Sequence, residues 1–427
     1  MRAANRPVNW FMKWFVIMLE ASIRGSTKVS GLAADVIVVG AGPAGSTAAR
    51  VAAASGLSTL VIERRARVGV PVQCGEFLPT PKEMENLFPK CPRGSRLANV
   101  PSRFVTNRCS HVRLISPRCS QFEFNLSANV IDRAQYDSWL ASEAERRGAD
   151  LRLSSTVLGM KGPDEVVFSD REGTHSAKAQ VIVSADGPHS RIASSLGHEY
   201  MTHLEDLSLS MQYVMTNVDL DPDEIEMYFG NQIAPGGYAW IIPKGESIAN
   251  VGLGIRSQFA SDRTRLKTYL DRFVRRHPVA KTRTGRAKVA SSVAALIPVG
   301  GPVTKTWSEN VMLAGDAAGH VMACNGGGIP TALIDGEIAG QAAAKRIFND
   351  LPLSWYEDTW VRETGTELRT ALMILHIADR IMPSDALTDA CMRLAGSRYL
   401  EPLIRCRLPL PVDIAANTLV RLLKPIL

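Results

Sequence analysis

Long apolar runs are missing from this sequence. No stretch reaches the roughly 18 uncharged apolar residues that a membrane span requires, which argues against a membrane-spanning protein. Metal and disulfide frameworks are missing too: the seven cysteines (Cys74, Cys91, Cys109, Cys119, Cys324, Cys391, Cys406) are odd in number, widely spaced and without a CxxC pair. That usage fits a reduced, cytoplasmic protein with no zinc site. An acidic excess is also absent, since 49 Lys and Arg oppose 42 Asp and Glu for a net charge of +7. Such a balance suits an anionic membrane surface or a phosphate-bearing ligand. Nucleic acid is not expected, because the basic residues are scattered and follow no recognition motif. No repeat of fixed period and no low-complexity tract occurs, so solenoids and disordered arrays drop out.

Aromatic residues are sparse, at 6% of the chain, yet "GGYAWIIPKGE" (236–246) places Tyr238 and Trp240 two apart behind a glycine turn. On a strand both rings leave on one face. That face is either a core wall or a pocket wall. Hydrophobic residues make up 45% and charged residues 21% of 427 positions, enough for one large domain or two interleaved ones. The N-terminal "WFMKWFVIML" (10–19), flanked by basic residues, reads as an interfacial helix lying on a membrane. A secretory signal and an early translation start are the alternatives.

From Asp35 the chain reads as a complete βαβ unit: a buried strand, a glycine turn, an alanine-rich helix ended by Gly56, and a second buried strand "STLVIE". Gly40, Gly42 and Gly45 form G-x-G-x-x-G across the turn, and Glu63 closes the second strand. The glycines serve a tight turn, close approach of a pyrophosphate and close helix packing, and the acid stands where a ribose hydroxyl is held. The helix N-terminus adds free N–H groups and a positive dipole end. Residues 66–125, rich in Pro, Gly and Arg, are expected to form loops and short strands around a cofactor. "DRAQYDSWLASEAERRGA" reads as a helix ended by Gly148, residues 205–256 as sheet, and "GGGIPTALIDGEIAGQAAAKRIF" as a small-residue helix behind a glycine turn. The remainder, to "LPLPVDIAANTLVRLLKPIL", reads as mostly helical.

The fingerprint alone admits NAD or FAD. "SADGPHSR" (184–191) and "LAGDAAGH" (313–320) resemble the DG and GD motifs of FAD-dependent enzymes related to aromatic hydroxylases. With "PVQCGE" (71–76), "YAWIIP" (238–243) and "GDAAG…GGGI…A…G…AG", the chain resembles the geranylgeranyl reductases, in particular the archaeal digeranylgeranylglycerophospholipid reductases. The resemblance runs from about residue 34 to about residue 350 and is less clear beyond. Two departures stand out. Ile242 replaces the phenylalanine of the family's Y-x-W-x-F-P motif, and "VMACNGGGI" stands where a proline follows the GD segment.

The resemblance implies an α/β fold in which a Rossmann-type FAD-binding domain (34–200 and 286–350) is interleaved with an antiparallel β-sheet substrate domain (201–285). An N-terminal extension (1–33) and a C-terminal helical region (351–427) flank them. It carries FAD contacts onto Gly40, Gly42, Ala44, Gly45, Glu63, Arg64, Cys74, Gly75, Arg133, Asp186, Gly187, Asp316, the glycines Gly326, Gly327 and Gly328, and Ile329. Asp316 takes the ribityl chain, and the helix after it points at the flavin ring. Catalysis is expected at Cys74, Tyr238 and Trp240; His320 is the rival acid. The plainer alternatives are a small buried thiol, ordinary sheet core, a solvated helix-start charge at Arg133 and a structural histidine.

Reducing an isolated alkene needs a proton on one carbon and a hydride on the other, with positive charge developing between them. A dry wall of aromatic faces stabilises that charge by about 0.5–2 kcal/mol per ring. The implied partners are a prenylated lipid and a transient electron donor: ferredoxin, a reduced deazaflavin or NADPH. A flavin monooxygenase or epoxidase acting on an apolar substrate, and a prenyl-lipid carrier without chemistry, are the competing readings.

Overall fold

The computed structural model describes residues 31–260 and 265–408. The aromatic N-terminal stretch and the closing segment 409–427 lie outside the described residues. Among the described residues, fifteen strands build two sheets: β1 (Gly31–Val39), β2 (Thr59–Ile62), β3 (Phe77–Pro79), β4 (Val105–Ile115), β5 (Gln121–Ile131), β6 (Ala149–Arg152), β7 (Thr156–Gly162), β8 (Glu165–Ser169) and β9 (Thr174–Ser184). They continue as β10 (Leu207–Thr216), β11 (Glu224–Phe229), β12 (Tyr238–Pro243), β13 (Ile248–Arg256), β14 (Lys288–Pro298) and β15 (Val311–Leu313).

The first sheet runs β6-β2-β1-β9 in parallel. The short β15 adds a parallel partner to the end of β9, and the β7–β8 hairpin pairs antiparallel with its start. Its central strands read as unbroken apolar runs because both faces are covered. Val36 and Val38 pack in one buried cluster with the helices Pro43–Ala54 and Ile329–Asn349, while Ile37 and Val39 pack on the other face with Val166, Phe168 and Ile192. Chain order reverses between β1 and β9, and open sheets of this kind bind ligands outside the strand ends at such a point. Gly40 lies there with φ +94°; a side chain on it would come within 2.4 Å of the Ala185 carbonyl oxygen.

The two helices on that face cross closely. An added Cβ at Gly336 would meet the Ala44 carbonyl oxygen at 2.3 Å, and one at Gly340 would meet the Val51 side chain at 2.6 Å. Neither helix has a side-chain cap at its N-terminus, where Gly42 and Gly328 stand.

The second sheet has the order β14-β10-β13-β12-β11-β4-β5-β3, antiparallel except between β11 and β4. It is wider than the expected domain 201–285, because β3–β5 join one side and β14 the other. Residues 66–125, expected as loops and short strands, instead contribute the eleven-residue strand β4 and the first five residues of β5. Their exposed positions include Arg108, His111, Glu123 and Asn125, and these polar residues hid the pattern. Along β12 the period of two holds: Ala239 and Ile241 pack with Phe273 of the helix Leu266–Arg276, while Tyr238, Trp240 and Ile242 face the opposite cluster. That cluster is covered by the last described helix, Asp385–Ile404, through Met392, Leu400, Leu403 and Ile404.

Filling the helix crossing tests the packing. Gly336→Val should destabilise the protein by about 1–3 kcal/mol through overpacking, read as a lower urea midpoint. Gly245→Ala, at a turn where an added Cβ meets nothing within 4 Å, should leave the midpoint unchanged.

Candidate active site

A cavity of about 1140 Å³ opens at the switch point and extends to the second sheet. It exceeds the usual range of about 300–1,000 Å³ for small-ligand pockets. Of the residues singled out from sequence, Gly40, Gly42, Ala44, Glu63, Arg64, Cys74, Gly75, Arg133, Asp186, Gly187, Trp240, Asp316, Gly326, Gly328 and Ile329 line it. Gly45, Gly327 and Tyr238 are not among the lining residues. Gly45 serves packing instead, since a Cβ there would fall 1.9 Å from the Gly40 carbonyl oxygen. Gly327 folds its own loop, donating to Asn325 Oδ1 at 2.9 Å.

In the cavity the uncapped N-terminus of the helix Pro43–Ala54 lies beside the carboxylate of Glu63. Glu63 Oε2 accepts from the Ala41 N–H at 2.7 Å, and its Oε1 accepts from the Arg65 N–H at 2.8 Å. A side chain at Gly42 would meet nothing within 4 Å, so the backbone faces open space there. Asp186 fixes the turn after β9: its Oδ1 accepts from Ser184 at 2.8 Å and its Oδ2 from the Arg191 N–H at 2.7 Å. Burial raises its pKa in spite of these bonds.

Close to the Gly40–Ala44 turn, Asp316 follows Gly315, which has φ +62° and where an added Cβ would lie 3.1 Å from the Ala44 side chain. Burial, joined by repulsion from Asp335 and opposed by Arg133, lifts the Asp316 carboxyl from its ordinary 3.8 to about 6. The uncapped N-terminus at Gly328 and Ile329 lies beside it; an added Cβ at Gly328 would sit 3.1 Å from Asp316 Oδ1. His320 is fully buried behind this turn and does not line the cavity. Its Nδ1 pairs with Asp335 Oδ2 at 2.7 Å, the same oxygen accepts from the Gly315 N–H at 3.0 Å, and its ring packs 4.2 Å from Trp360. His320 thus braces the turn.

The "PVQCGE" loop crosses between the two sheets and is pinned from the second. Gln212, buried on β10, donates from Nε2 to the Cys74 carbonyl at 2.9 Å and accepts at Oε1 from Trp240 Nε1 at 3.1 Å. Asn250 donates to the Gly75 carbonyl at 3.0 Å and to Glu76 Oε2 at 2.9 Å, and Lys244 pairs with the same carboxylate. The Cys74 sulfur accepts from the Glu76 N–H at 3.1 Å. Burial opposes the Arg133 cation, but its pair with Asp137 at 2.5 Å and the neighbouring Cys74 outweigh that, so its pKa rises. Tyr238 lies 5.8 Å from Trp240 between ring centres and donates its hydroxyl to the Asn325 carbonyl at 2.5 Å. Burial above all, then Cys324 and Cys74, raises its pKa, so it stays a neutral phenol. Ile242 reaches over Gly75, where an added Cβ would approach it to 2.8 Å.

Sequence reasoning missed Gln212, Asn250 and the β14 segment Val293–Ile297, which lines the cavity. A polar residue between apolar neighbours on β10 and β13 was the signal available for the first two.

Comparison with known proteins follows this division. Residues 206–295 match the geranylgeranyl reductase catalytic domain, and residues 38–98 match an NAD(P)-binding Rossmann-like domain. The chain is 33% identical to digeranylgeranylglycerophospholipid reductase 1 of Methanopyrus kandleri over 379 residues, which is 87% of this chain and 96% of that protein. It is 33% identical to the digeranylgeranylglycerophospholipid reductase of Methanocaldococcus jannaschii, covering 83% and 90% of the two chains. Among solved structures, a geranylgeranyl bacteriochlorophyll reductase-like protein from Thermoplasma acidophilum superposes with a TM-score of 0.76 at 29% identity, covering 93% of this chain and all of that one. The myxobacterial halogenase CndH, a variant of FAD-dependent halogenases, shares the fold with a TM-score of 0.68 at 20% identity, covering 92% and 90%.

Asp316 gives a pH dependence with a definite sign. Folding raises its pKa, so the folded empty protein holds a proton that the unfolded chain releases between pH 3.8 and about 6. This contribution to stability is present below pH 3.8 and is lost as pH rises through 6. Asp316→Asn should remove that slope and raise the stability of ligand-free protein at pH 7 by on the order of 1–3 kcal/mol, measured by urea unfolding across the range.

Proposed function

The chain belongs to the geranylgeranyl reductase family, and on that footing we propose that it is an FAD-dependent reductase that hydrogenates the C=C bonds of geranylgeranyl chains on an ether phospholipid precursor. The observation that carries this reading is the continuity of one cavity from the Gly40–Ala44 turn to the indole of Trp240.

The cavity suits FAD in its own chemistry. Two uncapped helix N-termini offer N–H groups to anionic portions of the cofactor, and at Gly42 the backbone leaves room for a close approach. Gly40, Gly42 and the N–H groups after them would hold the pyrophosphate, Glu63 a ribose, and Asp316 the ribityl chain. Gly326, Gly328 and Ile329 would meet the ring. Bound and reduced, FAD supplies the hydride for the alkene carbon.

The chain's own residues do the rest. The wall of Trp240, with Tyr238 behind it, turns an aromatic face toward a carbon on which positive charge develops. The buried sheet face excludes water that would capture such a carbon. Cys74 is the proton source, set at the cavity by the Gln212 bond to its carbonyl. The sulfur accepts from the Glu76 N–H and lies beside the Arg133 guanidinium. Gln212 ties this acid to the indole, so donor and wall move together.

The lipid substrate fits a protein that works at a membrane surface. No helix among the described residues is long and apolar enough to cross a bilayer. The net charge of +7 favours anionic headgroups. The electron donor is transient, and ferredoxin, reduced deazaflavin and NADPH are separated by anaerobic flavin reduction with each.

Purified protein should release FAD on denaturation. Dithionite-reduced protein, incubated without oxygen with a digeranylgeranyl phospholipid, should reoxidise its flavin while mass spectrometry records gain of hydrogen in the chains. Flavin that stays reduced beside unchanged lipid would overturn the reading, and oxygen-dependent hydroxylation or epoxidation with NADPH would replace it with a monooxygenase. Trp240→Ala should lower kcat/KM for the lipid by about tenfold with FAD content unchanged.

A further inference from the structure

Cys324 and Cys406 are 82 positions apart in the chain, yet their sulfurs approach to 3.5 Å. No other two cysteines are paired in this way among the described residues. We propose that the pair is a redox modification site: a peroxide converts it to a disulfide that fastens the end of the helix Asp385–Ile404 to the loop at the cavity.

The backbone at Cys406 is unusual for a residue with a side chain. It has φ +55°, the left-handed region, just beyond the end of the helix, where glycine is the least strained residue. Cys406 takes this strained conformation with its side chain buried, so its sulfur is held in one place against Cys324. Cys324 is half-buried, so it is the sulfur a small oxidant reaches first. Contact with Cys324, and then burial, raise the pKa of the Cys406 thiol, which stays protonated until its partner is oxidised.

The chemistry balances with hydrogen peroxide as the oxidant. Cys324 sulfur attacks the peroxide, its thiol proton and one oxygen leave within water, and a sulfenic acid remains. Cys406 sulfur then attacks Cys324 sulfur; the S–O bond breaks, and hydroxide takes the Cys406 proton to leave as a second water. Two thiols are oxidised by two electrons, one peroxide is reduced to two waters, and a dithiol reductant restores the pair.

The bond would act at a junction. The loop residue Asn325 accepts the Tyr238 hydroxyl at its carbonyl and donates to the Ile404 carbonyl at 3.0 Å. The helix is interrupted at Gly396, with φ +59° and ψ 178°, so its last two turns can pivot against the part before. Those turns carry Leu400, Leu403 and Ile404 onto the cluster that holds Trp240 and Tyr238. A disulfide at their end locks this cover closed.

Full-length protein treated with hydrogen peroxide should yield a non-reduced peptide joining Cys324 to Cys406, lost on dithiothreitol treatment. Hydrogen exchange across residues 397–404 should slow by about tenfold or more. Cys406→Gly, which suits the left-handed backbone, and Cys324→Ser should both abolish the link and the slowing. Free thiols at both positions after oxidation, a link to another cysteine, or unchanged exchange with the link present would each overturn the proposal. Turnover of lipid should fall on oxidation and recover on reduction. This last readout rests on the reductase reading, whereas the peptide and exchange readouts need no substrate and fail or succeed independently of it.

Discussion

Everything at the cavity depends on how closely two helices lie across the first sheet. Gly336 and Gly340 let the helix Ile329–Asn349 approach the backbone of Pro43–Ala54 to a distance no side chain would permit. That approach brings two N-termini, separated by nearly 290 residues of sequence, to one space. Each carries free N–H groups and the positive end of a helix dipole. Two such ends in one cavity repel, and a ligand with negative charge at both places relieves it. Asp316 works in the opposite sense: burial makes its charge costly in the empty protein, so the site spends stability that a ligand returns.

The second sheet sets what lies against that space. Gln212 and Asn250 reach out of it to hold the Cys74–Glu76 loop by its carbonyls, leaving the cysteine side chain free of those bonds. Trp240 is held by its indole N–H and lies flat over Gly252, where an added Cβ would come within 2.4 Å of the ring. A sheet whose opposite face packs on the helix Leu266–Arg276 is a stiff mount for such a wall.

What could be seen in the sequence was what local chemistry dictates. Gly40, Gly42 and Gly45 stand in fixed spacing because a turn, an open approach and a close crossing follow within six residues. The alternation of Tyr238, Trp240 and Ile242 is a property of one strand. Hidden were the relations whose partners lie far along the chain. Gly336 and Gly340 look like any glycines in an alanine-rich helix until the partner helix is placed. Gln212 is 138 positions from Cys74. Strands β4 and β5 alternate too, but their outward Arg108, His111, Glu123 and Asn125 blurred the pattern, and the place of β4 beside β11 follows from pairing rather than composition.

The order of strands also governs how the chain can be made. The first sheet receives β15 and the covering helix Ile329–Asn349 only after the whole second sheet has been synthesised, while β4 finds its parallel partner β11 more than a hundred residues later. At roughly 5–20 residues per second, the apolar strands of the βαβ unit wait tens of seconds for their cover during translation. Neither sheet corresponds to a contiguous stretch that can emerge and close by itself, so apolar strand faces of the βαβ unit stay uncovered until the helix Ile329–Asn349 has been made.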